Sequence, residues 1–299
     1  MKKHSRKVVF LLKKRSKSTT FWYNKGNMRE RTNMQPTYNI DNPNLSYEVK
    51  QELWETGFGL QKVDGLTPSV YMEELADKQA RGEYTYEQVY EEITKYHQST
   101  DASTQEADIV SLRIVEMLSY NGFSLRPTSL LHIHRELFKE VFDSNIPVGE
   151  YRTVNITKNE SVLKGDTVIY SDFPLIAATL DYDFQQERDF SYAGLDERAI
   201  VSHIQSFISG IWQIHPFREG NTRTITVFLI KYLRSLGFEI DTTPFQNNAK
   251  YFRDALVLDN AKLTHKRSDF LTAFFENLLL NGQNDLSSEK MYRELGIEG

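Results

Sequence analysis

The chain has 299 residues, 39% hydrophobic and 26% charged, which is enough apolar material for a core without a disulfide or metal staple. It contains no cysteine, which excludes a disulfide framework, thiolate-bound zinc, iron–sulfur clusters and a thiol nucleophile. The net charge of −5 is unevenly placed: residues 1–31 hold eleven Lys/Arg and one acid, Glu30, leaving 25 basic and 40 acidic residues in the remainder.

The basic head reads as a solvated, disordered tail, with contact to nucleic acid or an anionic surface through residues 1–31 as the functional alternative. Met28 and Met34 are alternative starts within that bland reading. The apolar run at 8–12 is too short for a signal peptide and no small-residue cleavage site follows it. No apolar run approaches the ~18 residues that cross a bilayer, so no transmembrane helix is expected. The absence of a signal peptide makes a cytoplasmic location the expectation, with a secreted effector using a non-classical route as the alternative.

Residues 34–46 are rich in Asn, Asp and Pro and read as a linker. Helices are expected next, the first capped by Ser46, the second opened by Ser69, and a third over TYEQVYEEITKYH after the break at Gly82. Residues 104–120 place Ile109, Leu112, Val115, Met117 and Leu118 near one helix face, and Gly122 ends that helix. Pro127 and Thr128 start another, with Leu130, Leu131, Ile133, Leu137 and Phe138 as its apolar face. Residues 151–176 are rich in β-branched side chains around Lys164, Gly165 and Asp166, which is a hairpin signature. Asp196 caps the apolar segment ERAIVSHIQSFISGIWQI, suited to the centre of a bundle. Helices are also expected over 223–236, 249–258 and 268–280, so the fold class is mainly α with one β-hairpin.

The chemistry concentrates in one stretch between two apolar helices: His215, Pro216, Phe217, Arg218, Glu219, Gly220, Asn221, Thr222 and Arg223. Gly220 and Asn221 immediately precede a helix, whose free N–H groups suit an anion, and glycine lets a phosphate come close. Arg223 adds a charge-assisted contact. Glu219 is a hard oxygen ligand of the kind Mg²⁺ takes together with phosphates, and His215 suits a general base. Read alone, each residue has a duller role: a structural histidine, a turn, a core phenylalanine. Their conjunction reads as a loop for phosphate, Mg²⁺ and proton transfer. His132 and His134 lie two apart and cannot share a helix face, so they are not expected to bind a metal, and His203 reads as a buried or rim hydrogen-bonder.

This HPFREGNTR stretch resembles the signature of the Fic (filamentation induced by cAMP) family, HPFx(D/E)GNxR, at every fixed position. Ala107-Asp108 is similar to the family's first core helix. Gly149-Glu-Tyr-Arg152 and Val-Asn-Ile-Thr-Lys158 resemble the lead into its β-hairpin flap, and Phe274-Phe275-Glu276-Asn277 its last core helix. The resemblance implies a Fic/Fido-type helical bundle with one β-hairpin flap. It divides the chain into a basic tail (1–34), an N-terminal helical layer (35–102), a Fic core (103–281) and a C-terminal tail (282–299). It further implies Mg²⁺-dependent transfer of AMP from ATP to a Tyr, Thr or Ser hydroxyl of a target protein. His215 is then the base and Glu219 the Mg²⁺ ligand, while Gly220, Asn221, Thr222 and Arg223 cradle the phosphates. Val168, Ile169 and Tyr170 are the flap residues that align the target. Tyr251 and Asn248 border the adenine. Transfer of another nucleotide or phosphate-containing group, and a catalytically silent binding module, are the competing functions.

Two departures matter. Thr222 stands where many members have glycine, so the loop must be helix-compatible there. Thr226 replaces a second arginine that in many members grips the γ-phosphate and pairs with an inhibitory glutamate. One match to the inhibitory pattern, Thr272 to Asn277 with Glu276, sits among core phenylalanines and leucines. Weak or absent inhibition by a glutamate is therefore expected.

Overall fold

The computed structural model describes residues 45–100 and 102–297. The expectations for residues 1–34 and their surface contacts lie outside the described residues. Three short helices come first. α1 (Tyr47–Gln61) and α2 (Val70–Ala80) start at Ser46 and Ser69, whose side chains accept main-chain N–H bonds, and α3 (Tyr86–Ser99) starts with a capping box between Thr85 and Gln88.

Polar and close main-chain contacts fasten these three helices to the rest of the bundle. The buried Asp108 carboxylate on α4 (Gln105–Ser119) accepts from the Ser69 N–H and hydroxyl, both at 2.7 Å, and meets His97 Nε2 at 2.9 Å. Gly59 of α1 lies so close to another helix that a Cβ would sit 2.5 Å from the Gln246 main chain. Only glycine permits that approach.

α5 (Pro127–Phe138) begins on its proline. α6 (Ile176–Asp189) is a helix that the sequence pattern does not announce; it turns Ile176, Leu180, Phe184 and Glu187 inward and offers no side-chain cap. α7 (Glu197–Ile214), capped by Asp196 as expected, leads to the motif, and α8 (Asn221–Ser235) leaves it. Every residue of α8 from Asn221 to Leu233 is buried, so it forms the axis of the bundle. Each fully buried Ile, Leu or Phe there contributes about 1.5–3 kcal/mol. α9 (Thr243–Asp259) is kinked at Asn248, α10 (Asp269–Leu280) packs on it, and α11 (Ser288–Glu294), in the expected C-terminal tail, buries Met291.

The expected β-hairpin over 151–176 is not shown; among the described residues there is no strand. The chain does reverse at Lys164 and Gly165, both at positive φ, after a 3₁₀ turn at Ser161–Leu163. Ladder pairing fails because the arms spend their polar groups elsewhere. Glu160 N–H reaches Asp166 O at 2.9 Å, but Lys158 N–H is 3.4 Å from the Thr167 hydroxyl, and Arg152 N–H goes to Pro216 O at 2.8 Å. Exposure still alternates as in an extended segment: Val168 and Tyr170 are buried, while Ile169 is 66% exposed.

Candidate active site

α7 ends at His215, which adopts a left-handed backbone (φ 51°) although it is not glycine. The ring is buried, 4.3 Å centroid to centroid from Tyr170 and 5.1 Å from Trp212. Nδ1 lies 3.2 Å from Trp212 O. A carbonyl only accepts, so Nδ1 carries the proton and Nε2 is a bare lone pair. Nε2 has no partner. Burial first, then the positive charge of Lys158, with smaller contributions from Arg152 and Arg253, holds the imidazole well below the ordinary histidine range, against the Trp212 bond. It is therefore neutral near pH 7, as a base must be.

Glu219 is the exposed acid of the loop, its side chain 50% exposed and 3.9 Å from Lys158 Nζ. Its main chain is fixed from below. His134 Nδ1 accepts the Gly149 N–H at 2.8 Å, so Nε2 carries the proton and donates to Glu219 O at 3.1 Å. The His134 ring stacks on Phe217 at 3.9 Å, and burial pushes its pKa down to about 4. Gly220 has φ 72°, and a Cβ there would lie 2.4 Å from the Phe138 ring.

The next three residues face three ways. Asn221 closes the loop on itself, accepting from Phe217 N–H at 3.0 Å and donating to Phe217 O at 2.8 Å. Thr222 lies inside α8, and its hydroxyl accepts the Trp212 indole N–H at 3.1 Å, with its own proton left to donate. Arg223 is buried and points toward the N-terminal layer and α4: Nη1 donates to Gln61 at 3.0 Å, Nη2 to Glu106 on α4 at 2.6 Å, and Nε is 2.8 Å from an Asp64 oxygen. Its guanidinium also lies 4.8 Å over Phe138. Thr226 donates to Thr222 O at 2.8 Å.

A family model described as Fic/DOC family matches residues 124–233. The chain carries a Fic/DOC-family domain. It is 32% identical over 109 residues to the protein adenylyltransferase VbhT of Bartonella schoenbuchensis, an alignment covering 36% of this chain and 21% of that protein. It is 30% identical over 125 residues to the probable protein adenylyltransferase y4lH of Sinorhizobium fredii, covering 42% and 60% respectively. The matches thus span less than two thirds of either relative.

Within this Fic/DOC domain, His215, Glu219 and Gly220 come together with Lys158, whose charge disfavours a proton on the imidazole and whose ammonium lies 3.9 Å from the acid. Other expected site residues have partners of their own. Tyr251 is buried, its hydroxyl spent on Phe270 O at 3.2 Å, and its partner in the adenine expectation, Asn248, donates to Leu286 O. Glu276 meets Asn284 at 3.1 Å on the segment after α10, whereas the carboxylates at the motif arginine are Glu106 and Asp64.

His203 is the expected hydrogen-bonder, 2.7 Å from the buried Glu187. A cleft of about 960 Å³ lies elsewhere, between α3, α4 and α5, and its lining includes Tyr90, Glu116, Phe123 and Lys231 but neither His215 nor Glu219. His134, Lys158 and Glu106 are site residues that the sequence does not reveal. Each reaches the motif from a distant part of the chain and carries no local pattern that announces it.

Proposed function

We propose that the chain transfers AMP from ATP to a hydroxyl side chain of a protein target, in the presence of Mg²⁺, with His215 as general base. The observation that carries this reading is the tautomer of His215, which leaves a buried, unpartnered Nε2 beside the motif loop. Buried polar atoms are ordinarily paired, and an orphan that a neighbouring bond keeps basic is suited to accept a proton. The family match and the names of the two relatives support the same reaction class.

The target hydroxyl gives its proton to Nε2 as its oxygen bonds to the α-phosphorus. The bond from that phosphorus to the bridging oxygen of the β-phosphate breaks, and pyrophosphate leaves. Gly220, with no Cβ, and the first N–H groups of α8 offer the phosphates main-chain donors. Thr222 has a hydroxyl proton to add.

Glu219 fits Mg²⁺ as a half-exposed hard oxygen donor with no partner nearer than Lys158. Among the described residues no cluster of three or more His or acidic residues suits a metal, so substrate phosphates and water would complete the ligand set. The ion would neutralise charge on the phosphates. The Tyr170 ring covers His215, so entry of the hydroxyl requires the arm bearing Val168, Ile169 and Tyr170 to shift; exposed Ile169 is the arm's contact for the target.

Incubating the protein with α-labelled or γ-labelled ATP, with and without EDTA, separates the alternatives. Label from the α position alone, lost with EDTA, is expected. Label from the γ position means phosphate transfer, and no label means a silent module.

A further inference from the structure

We propose that Arg152 is the positioning residue that holds His215 in its working conformation. The proposal rests on the reading of His215 as the base. Arg152 is 1% exposed and makes an unusual set of bonds for a buried cation. Its Nε donates to His215 O at 2.8 Å, Nη1 to Val154 O at 2.7 Å, and Nη2 to Ile214 O at 3.3 Å and to Ser171 O. Its own N–H donates to Pro216 O at 2.8 Å. All five partners are main-chain carbonyls, and among the described residues no carboxylate forms an ion pair with it.

The pattern of those carbonyls indicates the function. Ile214, His215 and Pro216 are consecutive, and they are the point where α7 stops and the motif begins. Val154 and Ser171 belong to the two arms of the segment that covers His215. A single guanidinium therefore joins the end of α7 to both arms.

A left-handed backbone at a non-glycine residue costs about 1–3 kcal/mol and persists only where the surroundings over-determine it. At His215 the bond to its own carbonyl and those to the carbonyls on either side supply that constraint. The planar fork matters, because an ammonium has a single centre and cannot span carbonyls on three segments. The left-handed turn is what brings Nδ1 back to Trp212 O and leaves Nε2 free. Arg152 thus acts through the backbone on the imidazole and does not touch the reacting atoms.

The test uses the full chain as R152K and R152M beside the unsubstituted protein. In R152K, kcat for AMP transfer should fall on the order of 10²-fold, the loss expected from a misplacement of about 1 Å, with KM for ATP within about twofold. The ¹⁵N signals of the His215 imidazole should change from a single Nδ1–H tautomer to a mixture. A folded R152K with unchanged kcat and an unchanged His215 signal overturns the proposal.

Should both variants unfold, hydrogen exchange in the unsubstituted protein decides: the Arg152 Nε–H should be protected, and free exchange overturns the proposal. An unsubstituted protein that transfers no AMP refutes the reaction assignment, while the tautomer and exchange measurements still report on Arg152.

Discussion

Lys158 Nζ stands 3.9 Å from Glu219 Oε2, and the same ammonium disfavours a proton on His215. One cation therefore stands beside both groups that the proposed reaction needs. The acid limb of the rate against pH should lie below 6.5 in the unsubstituted protein, because His215 is held below its ordinary range chiefly by burial. In K158M a like charge is gone, and the limb should move to higher pH. Profiles that coincide would remove Lys158 from this role.

His134 supports Glu219 only in its neutral form, since protonation at Nδ1 destroys the acceptor for Gly149 N–H. Its pKa is about 4 in the fold and about 6.5 when unfolded. The unfolded chain therefore binds the extra proton first as pH falls. The stabilisation is complete above about 6.5 and is lost progressively down to about 4, on the order of 3 kcal/mol. Urea midpoints should drop over this window. H134Q, whose amide offers both an acceptor and a donor, should make the drop smaller.

Gly220 faces two separate obstacles to a side chain, its φ of 72° and the Phe138 ring 2.4 Å from a would-be Cβ. G220A should cost about 2–5 kcal/mol. F138L in the same chain should restore part of that, and the strain at positive φ should remain. Denaturant midpoints of the two variants check both statements.

Arg223 is a strut as well as a proposed phosphate contact. It joins α8 to the N-terminal layer through Gln61 and Asp64 and to α4 through Glu106, both carboxylates partly exposed and so partly screened. R223M should lower the stability of the nucleotide-free protein by about 2 kcal/mol. An unchanged melting temperature would show that the guanidinium serves nucleotide alone.

The caps at Ser46, Ser69 and Asp196 are legible in the sequence because each short polar side chain stands directly before an apolar period. α6 is not, because only Ile176, Leu180 and Phe184 mark its buried face among many acids. The hairpin signature at Lys164 to Asp166 places the reversal but not the pairing. What prevents a ladder is a buried arginine and a threonine hydroxyl, and no β-propensity encodes that. The nonapeptide announces His215, Glu219 and Gly220. Glu106 is 117 residues from Arg223 and His134 is 85 from Glu219, so their roles exist only once the chain is folded.

The claim that Nε2 of His215 takes the hydroxyl proton is tested most directly by the intact mass of the full chain after incubation with ATP and Mg²⁺. The unsubstituted protein should gain one or more AMP groups, while H215A, folded to the same melting temperature, should gain none. An H215A protein that acquires AMP at the unsubstituted rate would contradict the assignment.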